Sequence, residues 1–143
     1  MKIIMGSDHA GYHMKVKVLT HLRERGIEVE DAGTYSEESV DYTDYGKAVA
    51  AKVSDASFDR GILICGTGLG MSMVANRFRG ARAALANDLF SAMMSRRHND
   101  SNILVMGGRL IGDALAMEIV DTWIETPFEG GRHQHRVEKM DIE

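Results

Sequence analysis

A single cysteine stands beside a run of glycines near the middle of the chain. Residues 65–70 read CGTGLG and follow a short apolar stretch. Three glycines in this segment cost conformational entropy unless the backbone must turn sharply or approach another group closely. The pattern therefore predicts a loop whose bare N–H groups can hold an anion, either a phosphate or a developing oxyanion.

Two common anion-binding motifs do not fit this loop. A P-loop requires Gly-Lys-Ser/Thr, which is absent, and the dinucleotide pattern requires a third glycine where Met71 stands. What remains is a thiol at a strand end, before a helix, where partial positive charge favours the thiolate. We interpret Cys65 as a candidate base; the alternative is that it fills the end of a buried strand as a small apolar residue.

Polar residues also follow the first predicted strand and precede the last one. Residues 6–11, GSDHAG, expose a carboxylate and an imidazole in a turn, although Asp8 is equally suited to cap the helix that follows. Residues 95–100, SRRHND, form a polar cluster at the end of a predicted helix. Its arginines complement the helix dipole, whereas His98 and Asn99 have no such structural explanation.

Three arginines are candidates for binding a phosphate. Arg109 follows two glycines after the last predicted strand. Arg132 and Arg136 have the spacing of one face of a short helix, a fork suited to a phosphate unless both are simply solvated. Together with the thiol and the glycine loop, they predict a site for a phosphorylated small molecule.

The elements that must position these residues can be predicted from hydrophobic periodicity. Short apolar runs at 2–6, 27–31, 61–65, 83–86 and 103–106 predict strands, and helical periodicity predicts helices at 12–25, 42–53, 71–78, 89–98 and 113–124. This alternation is typical of an α/β protein with a parallel sheet covered on both faces. Such sheets bind ligands beyond the carboxyl ends of their strands, near the point where the strand order reverses.

Composition limits the class of protein. The 143 residues, 44% of them apolar, suffice for one compact domain, and a net charge of −4 favours neither nucleic acid nor an anionic membrane as partner. The lone cysteine excludes an internal disulfide and a cysteine-only zinc site. With no apolar run of roughly 18 residues and no signal-peptide pattern at the start, we expect a cytoplasmic protein.

The segments at 6–11, 61–68, 95–100 and 130–134 together closely resemble the ribose-5-phosphate isomerase B family, which includes galactose-6-phosphate isomerase subunits and allose-6-phosphate isomerases. The resemblance covers nearly the whole chain. It implies a three-layer α/β/α Rossmann-like fold with a five-stranded parallel sheet, no metal and no organic cofactor. It also implies a homodimer or a dimer of dimers, with the site at a subunit interface and the tail from about 127 to 143 packing there. The expected domain is 1–143.

The resemblance also implies a role for each candidate residue. Cys65 becomes the base that moves a proton between C1 and C2 of an open-chain sugar phosphate, assisted by Thr67, while His98 assists opening of the sugar ring. The remaining implied contacts are Gly66, Gly68 and Gly70 for the enediolate, Asp8, His9, Tyr42 and Asn99 for sugar hydroxyls, and Arg109, Arg132 and Arg136 for the phosphate, with His133 a further contributor. The family commonly has proline where Thr43 follows Tyr42, which puts the placement of Tyr42 in question.

The expected reaction is the isomerisation of ribose 5-phosphate to ribulose 5-phosphate. An isomerase of another aldose phosphate (allose 6-phosphate, galactose 6-phosphate or a tetrose phosphate) is the nearest alternative, because the motifs do not encode the depth of the pocket. A sugar-phosphate sensor without turnover differs in class, and the presence of both Cys65 and His98 argues against it. A redox role for Cys65 lacks a second cysteine to resolve an oxidised thiol.

Overall fold

Five β-strands alternate with six α-helices in the computed structural model, which describes residues 1–142, and a 3₁₀ turn at His9–Gly11 follows the first strand. The strands are β1 (Lys2–Ser7), β2 (Glu28–Asp31), β3 (Arg60–Cys65), β4 (Ala83–Leu85) and β5 (Ile103–Gly107). The helices are α1 (Tyr12–Glu24), α2 (Tyr42–Ser54), α3 (Leu69–Ala75), α4 (Leu89–Arg97), α5 (Asp113–Glu125) and α6 (Arg132–Glu138).

All the strands run parallel, in the order β2-β1-β3-β5-β4. The chain leaves β1 toward one edge and then returns to place β3 on the other side of β1, so the strand order reverses between β1 and β3. The register pairs Ser7 with Ile64 and Cys65 with Gly107 at the carboxyl ends. Cys65 therefore ends a strand that borders the reversal, where sheets of this type bind ligands.

The sheet separates two apolar cores, because alternate side chains of a strand point to opposite faces. Ile3, Met5 and Ile64 pack toward α1, α4 and α5, whereas Ile4 and Leu63 pack toward α2 and α3. These strand residues are at most 3% exposed. The arrangement confirms the predicted three-layer α/β/α fold, and it fixes the strand ends from which the polar loops emerge.

Two helices end where the sequence predicts. α1 buries Met14, Val18 and Leu22 on one side, and Gly26, with φ of +76°, follows it in the left-handed conformation that commonly terminates helices. α5 buries Trp123 near its end, before Pro127. None of the helices within residues 1–142 has both the length and the apolar character needed to cross a bilayer.

The prediction for α3 is wrong by two to three residues, since 71–78 was expected and Leu69–Ala75 is helical. Gly68, with φ of +86°, makes the turn alone, so the helix starts at once and Gly70 lies in its first turn rather than in the loop. The helix ends early because the Asn76 side chain bonds both main-chain groups of Ala83, at 2.8 and 2.9 Å.

The C-terminal segment packs on its own chain. α6 is the short helix that the spacing of Arg132 and Arg136 predicted. The Glu129 N–H donates to the Arg97 carbonyl at 3.0 Å, and the Gly80 N–H donates to the Asp141 carboxylate at 3.1 Å. Packing of this tail against a second subunit stays a prediction.

Candidate active site

The thiol of Cys65 lies at the carboxyl end of β3 and is 5% exposed. The Gly68 N–H points back at it, with 3.2 Å between nitrogen and sulfur. A hydrogen bond from an amide stabilises a thiolate more than a thiol. Because α3 has only seven residues, this local N–H and not a long helix dipole supplies the positive end of the bond.

The loop after Cys65 is packed so tightly that two of its glycines have no room for a side chain. A Cβ on Gly68 would lie 2.4 Å from Leu85 Cδ1, and one on Gly70 would lie 2.5 Å from the ring of Tyr42. The main chain of the loop is therefore held against β4 on one side and the start of α2 on the other. Its N–H groups keep fixed directions, as a preorganised oxyanion hole requires.

Tyr42 is the first residue of α2 and is 40% exposed beside Gly70. Asp41, in an extended conformation, precedes the helix, and its carbonyl accepts from the Asp44 N–H at 3.3 Å. The helix thus starts at Tyr42 with Thr43 in place of the proline common in the family. The tyrosine reaches the glycine loop without that proline.

Asp8 and His9 occupy the neighbouring loop after β1. The buried Asp8 carboxylate accepts from the Gly11 N–H at 3.0 Å, so the cap expected from the sequence is present. The Asp8 N–H donates to the Ile64 carbonyl at 3.3 Å, which ties this loop to β3 next to the thiol. His9 Nδ1 accepts from the Val40 N–H at 3.2 Å, which fixes the imidazole at the same edge.

Thr67 and Arg109 complete this group on the exposed side. Thr67 Oγ1 accepts from the Leu69 N–H at 3.2 Å, so its own hydroxyl proton is available to donate. The Arg109 N–H donates to the Gly66 carbonyl at 3.0 Å, and its side chain lies over Gly66. We call the following residues the carboxyl-edge cluster: Asp8, His9, Tyr42, Cys65, Gly66, Thr67, Gly68, Gly70 and Arg109.

The other predicted residues form a second group, the amino-edge cluster, which comprises His98, Asn99, Arg132, His133 and Arg136. The imidazole rings of His98 and His133 stack with centroids 4.1 Å apart and planes 15° from parallel. Asn99 lines a cavity of about 400 Å³ beside Arg82 and Asp141. Arg132 and Arg136 are exposed on α6.

A buried ion network holds the loop that carries His98 and Asn99. The Arg96 side chain donates to Asp100 Oδ1 at 2.8 Å, to the Ser101 carbonyl at 2.5 Å and to the Thr126 carbonyl at 3.1 Å. Arg60 donates to carbonyls at the end of α5, and burial lowers its pKa to about 10, which leaves it charged at neutral pH. These bonds join α4, β3, the loop before β5 and the end of α5.

The two clusters lie at opposite ends of the sheet within one chain. Residues 98–100 precede β5, whose first residue Ile103 pairs with Gly61, whereas Cys65 pairs with Gly107 at the far end of the same strand. Four residue steps of a strand span about 13 Å. A single copy of the chain therefore does not bring His98, Arg132 or Arg136 to the thiol, although the sequence grouped them in one site.

The amino-edge cluster has an acidic partner that sequence reasoning missed. One oxygen of Glu129 lies 3.7 Å from His98 Nε2 and 3.6 Å from His133 Nε2. Burial, then the charges of His98, Arg132 and Arg136, lowers the pKa of His133, and Glu129 acts in the opposite direction. The position of Glu129 four residues before His133 was the available signal.

These three side chains also have the composition of a metal site, since their ligand atoms lie within 4.8 Å of one another. An imidazole nitrogen binds a metal along its lone pair, in the plane of the ring. The rings of His98 and His133 lie in nearly parallel planes, so their lone pairs do not converge on one ion. The geometry fits a stacked pair with a shared carboxylate better than a metal centre.

Comparison with known proteins identifies the class to which this fold and site belong. The family model for "Ribose/Galactose Isomerase" matches residues 3–140. Ribose-5-phosphate isomerase B of Escherichia coli is 50% identical over 97% of this chain and 93% of its own length. The chain belongs to this family of aldose–ketose isomerases.

The solved structure of ribose-5-phosphate isomerase B from Clostridium thermocellum superposes with a TM-score of 0.96 at 53% identity, covering 98% of this chain and 95% of that one. A D-erythrulose-4-phosphate isomerase of Pectobacterium atrosepticum is 37% identical over 98% of this chain and 93% of its own length. The fold is thus shared closely within the family, and the named substrates differ between its members.

Proposed function

We propose that this chain interconverts ribose 5-phosphate and ribulose 5-phosphate through an enediolate, without a metal or an organic cofactor. The observation that carries this proposal is the Cys65 thiol held 3.2 Å from the Gly68 amide, beside the strand-order reversal of a chain that belongs to an isomerase family. A base and an oxyanion hole are both supplied by one loop. An aldose–ketose isomerisation needs both at adjacent carbon atoms.

In the proposed reaction the Cys65 thiolate removes the proton from C2 of the open-chain aldose. The electron pair moves toward the C1 carbonyl oxygen, which becomes the enediolate oxygen. It is met by the Thr67 hydroxyl and by amides of residues 66–70 other than those of Gly68 and Leu69, which already bond Cys65 Sγ and Thr67 Oγ1. The thiol then returns the proton to C1, while O1 gains a proton and O2 loses one, giving the ketose. A positioned base contributes about 10²–10⁴-fold to such a step.

We infer that the amino-edge cluster of a second copy completes the site. In that arrangement, His98 assists ring opening, Asn99 contacts a sugar hydroxyl, and Arg132, Arg136 and His133 bind the phosphate beside Arg109 of the first copy. The separation of the two clusters in one chain supports this inference. Binding energy from the phosphate, remote from the reacting carbons, holds the open-chain form against the thiol.

Exposed apolar side chains that follow strands β3, β4 and β5 also support a second copy. Leu69, Phe90 and Leu110 are 51%, 67% and 60% exposed. They follow the carboxyl ends of β3, β4 and β5, respectively, which is the end of the sheet at which the Cys65 thiol lies. Large exposed apolar side chains are a feature of contacts between subunits. We therefore propose a homodimer or a dimer of dimers, and we place it in the cytoplasm because its lone thiol must stay reduced.

The sharpest test of the substrate is a panel of aldose phosphates that contains ribose 5-phosphate, allose 6-phosphate, galactose 6-phosphate and erythrose 4-phosphate. We expect the highest kcat/KM with ribose 5-phosphate. A clear preference for one of the others would retain the isomerase mechanism and overturn the ribose assignment. The relative named for a four-carbon ketose phosphate makes the tetrose phosphate the alternative to include first.

A second measurement separates catalysis from binding alone. In deuterated water, an isomerase that works through an enediolate exchanges the C2 proton of its substrate with solvent. We expect this exchange with the purified protein. Binding of ribose 5-phosphate with neither exchange nor formation of ribulose 5-phosphate would contradict the isomerase proposal and favour a sugar-phosphate sensor.

A further inference from the structure

Glu129 is the charged group that contacts both members of the stacked histidine pair. The same oxygen, Oε1, faces His98 Nε2 at 3.7 Å and His133 Nε2 at 3.6 Å. Hydrogen bonds from ring nitrogens to oxygen form at about 2.7–3.2 Å, so a movement of roughly half an ångström brings either N–H into bonding range. The carboxylate is thus placed to accept a hydrogen bond from the Nε2–H group of either ring.

The main chain fixes Glu129 in this place independently of its side chain. Its N–H donates to the Arg97 carbonyl at 3.0 Å, the residue directly before His98. Glu129 is followed by Gly130 and Gly131, which both have positive φ. These two glycines turn the chain so that α6, which carries His133, begins directly after them. The residue therefore bridges the two elements that carry the two rings.

The other charged groups that shift the pKa of His133 are positive. Burial, the stacked ring of His98 and the charges of Arg132 and Arg136 all lower the pKa of His133. Glu129 is the group with the opposite effect among those that shift the pKa of His133. Half of its side chain is exposed, so its effect is moderated by solvent.

We propose that Glu129 is a positioning residue, which holds the His98–His133 stack in place and keeps one proton available to it. This inference rests on the proposed function, in which His98 assists ring opening and His133 contacts the phosphate. A proton on the pair serves both tasks, because it can be donated to the ring oxygen of the sugar and it attracts the phosphate. Neither task requires Glu129 to touch the substrate.

The test compares Glu129→Gln with Glu118→Gln, which removes the same charge from an exposed position on α5. In Glu129→Gln we expect the pKa of His133, measured by NMR, to fall further, because the carboxylate that opposes its lowering is removed. We expect the alkaline limb of kcat/KM to move to lower pH by a similar amount. Glu129→Asp should restore part of both shifts, and Glu118→Gln should change neither.

A merely structural role would lower activity equally at every pH and leave the His133 titration unmoved, and that result would overturn the proposal. Failure of the proposed function is distinguishable, because the unaltered protein would then show no isomerase activity while its NMR titration could still be measured. An unshifted alkaline limb in Glu129→Gln, with a normally active unaltered protein, would contradict the positioning role alone.

Discussion

At the carboxyl edge of the sheet the main chain holds the reactive groups, whereas at the amino edge side chains hold them. The Gly68 amide bonds the Cys65 sulfur, and the Asp8 amide joins its loop to β3. At the other end, Arg96 makes three side-chain bonds around Asp100, and Glu129 faces both histidines. The first arrangement is rigid because glycine packing fixes it, and the second depends on charge.

This difference matches the two tasks in the proposed reaction. Stabilising an enediolate needs donors with fixed directions, and amides packed against neighbouring strands provide them. Binding a phosphate and moving protons during ring opening need charge, which long side chains supply. We expect substitutions at the carboxyl edge to affect the chemical step and substitutions at the amino edge to affect substrate affinity, proton uptake or stability.

The largest expected effect comes from the thiol. Cys65→Ala should lower kcat by about 10²–10⁴-fold, because it removes the proposed base, while ribose 5-phosphate still binds. Steady-state kinetics and calorimetric binding measure the two quantities separately. Near-normal turnover in this variant would remove the thiol from the mechanism.

The buried arginine of the amino-edge network should dominate stability. Arg96→Met removes the donor to Asp100 Oδ1 and to two carbonyls, whereas Arg82 still lies 3.4 Å from Asp100 Oδ2, so we expect a loss of about 1–3 kcal/mol in the free energy of unfolding. Arg97→Met is the matched control, since that neighbour is exposed. Equal denaturant midpoints for the two variants would show that the network does not stabilise this edge.

The α6 arginines should control affinity. Removal of a charge-assisted bond to a phosphate costs about 1.5–3 kcal/mol, which corresponds to a roughly 10- to 100-fold rise in Kd. Arg132→Ala and Arg136→Ala should each raise the Kd of ribose 5-phosphate and change kcat less. Should ribose 5-phosphate bind either variant as tightly as the unaltered protein, that arginine does not contact the phosphate.

The glycines of the loop offer a graded comparison. Gly68→Ala forces an alanine into the left-handed region, which costs roughly 1–2 kcal/mol, and it also meets Leu85. Gly66→Ala meets the flexible Arg109 side chain at 3.4 Å, which can move, and Ala10 Cβ at 3.7 Å, an ordinary van der Waals distance. We expect thermal unfolding to show a lower Tm for Gly68→Ala than for Gly66→Ala, and the reverse order would contradict the tight packing at Gly68.

Much of the fold could be predicted because its signals are local. The apolar runs located all the strands to within a residue or two, and the glycine at 26 marked the end of α1. Both ends of α3 were missed, because the left-handed backbone of Gly68 at its start and the bonds of Asn76 to Ala83 at its end depend on tertiary contacts. Hydrophobic periodicity along the sequence carries no information on the backbone conformation of Gly68 or on the Asn76–Ala83 bonds.

The candidate site was predictable as a set of residues but not as a geometry. The sequence motifs assign Cys65 and His98 to one site. Nothing in their spacing along the chain indicates that Cys65 lies beside the last residue of β5 whereas His98 precedes its first residue. Glu129 was missed because, in the sequence, nothing distinguishes it from the other carboxylates. Only the folded chain shows that it faces both rings of the His98–His133 stack.

In the proposed enzyme two copies of the chain share each active site, and subunit mixing tests this arrangement directly. Cys65→Ala and His98→Ala should each be nearly inactive alone. When equal amounts are co-expressed and assort at random as dimers, half the dimers are mixed, and each mixed dimer regains one of its two sites by combining the intact thiol of one copy with the intact His98 of the other. We predict about a quarter of the unaltered activity in the mixture; activity no higher than that of the separate variants, with mixed dimers verified by two affinity tags, would contradict the shared site.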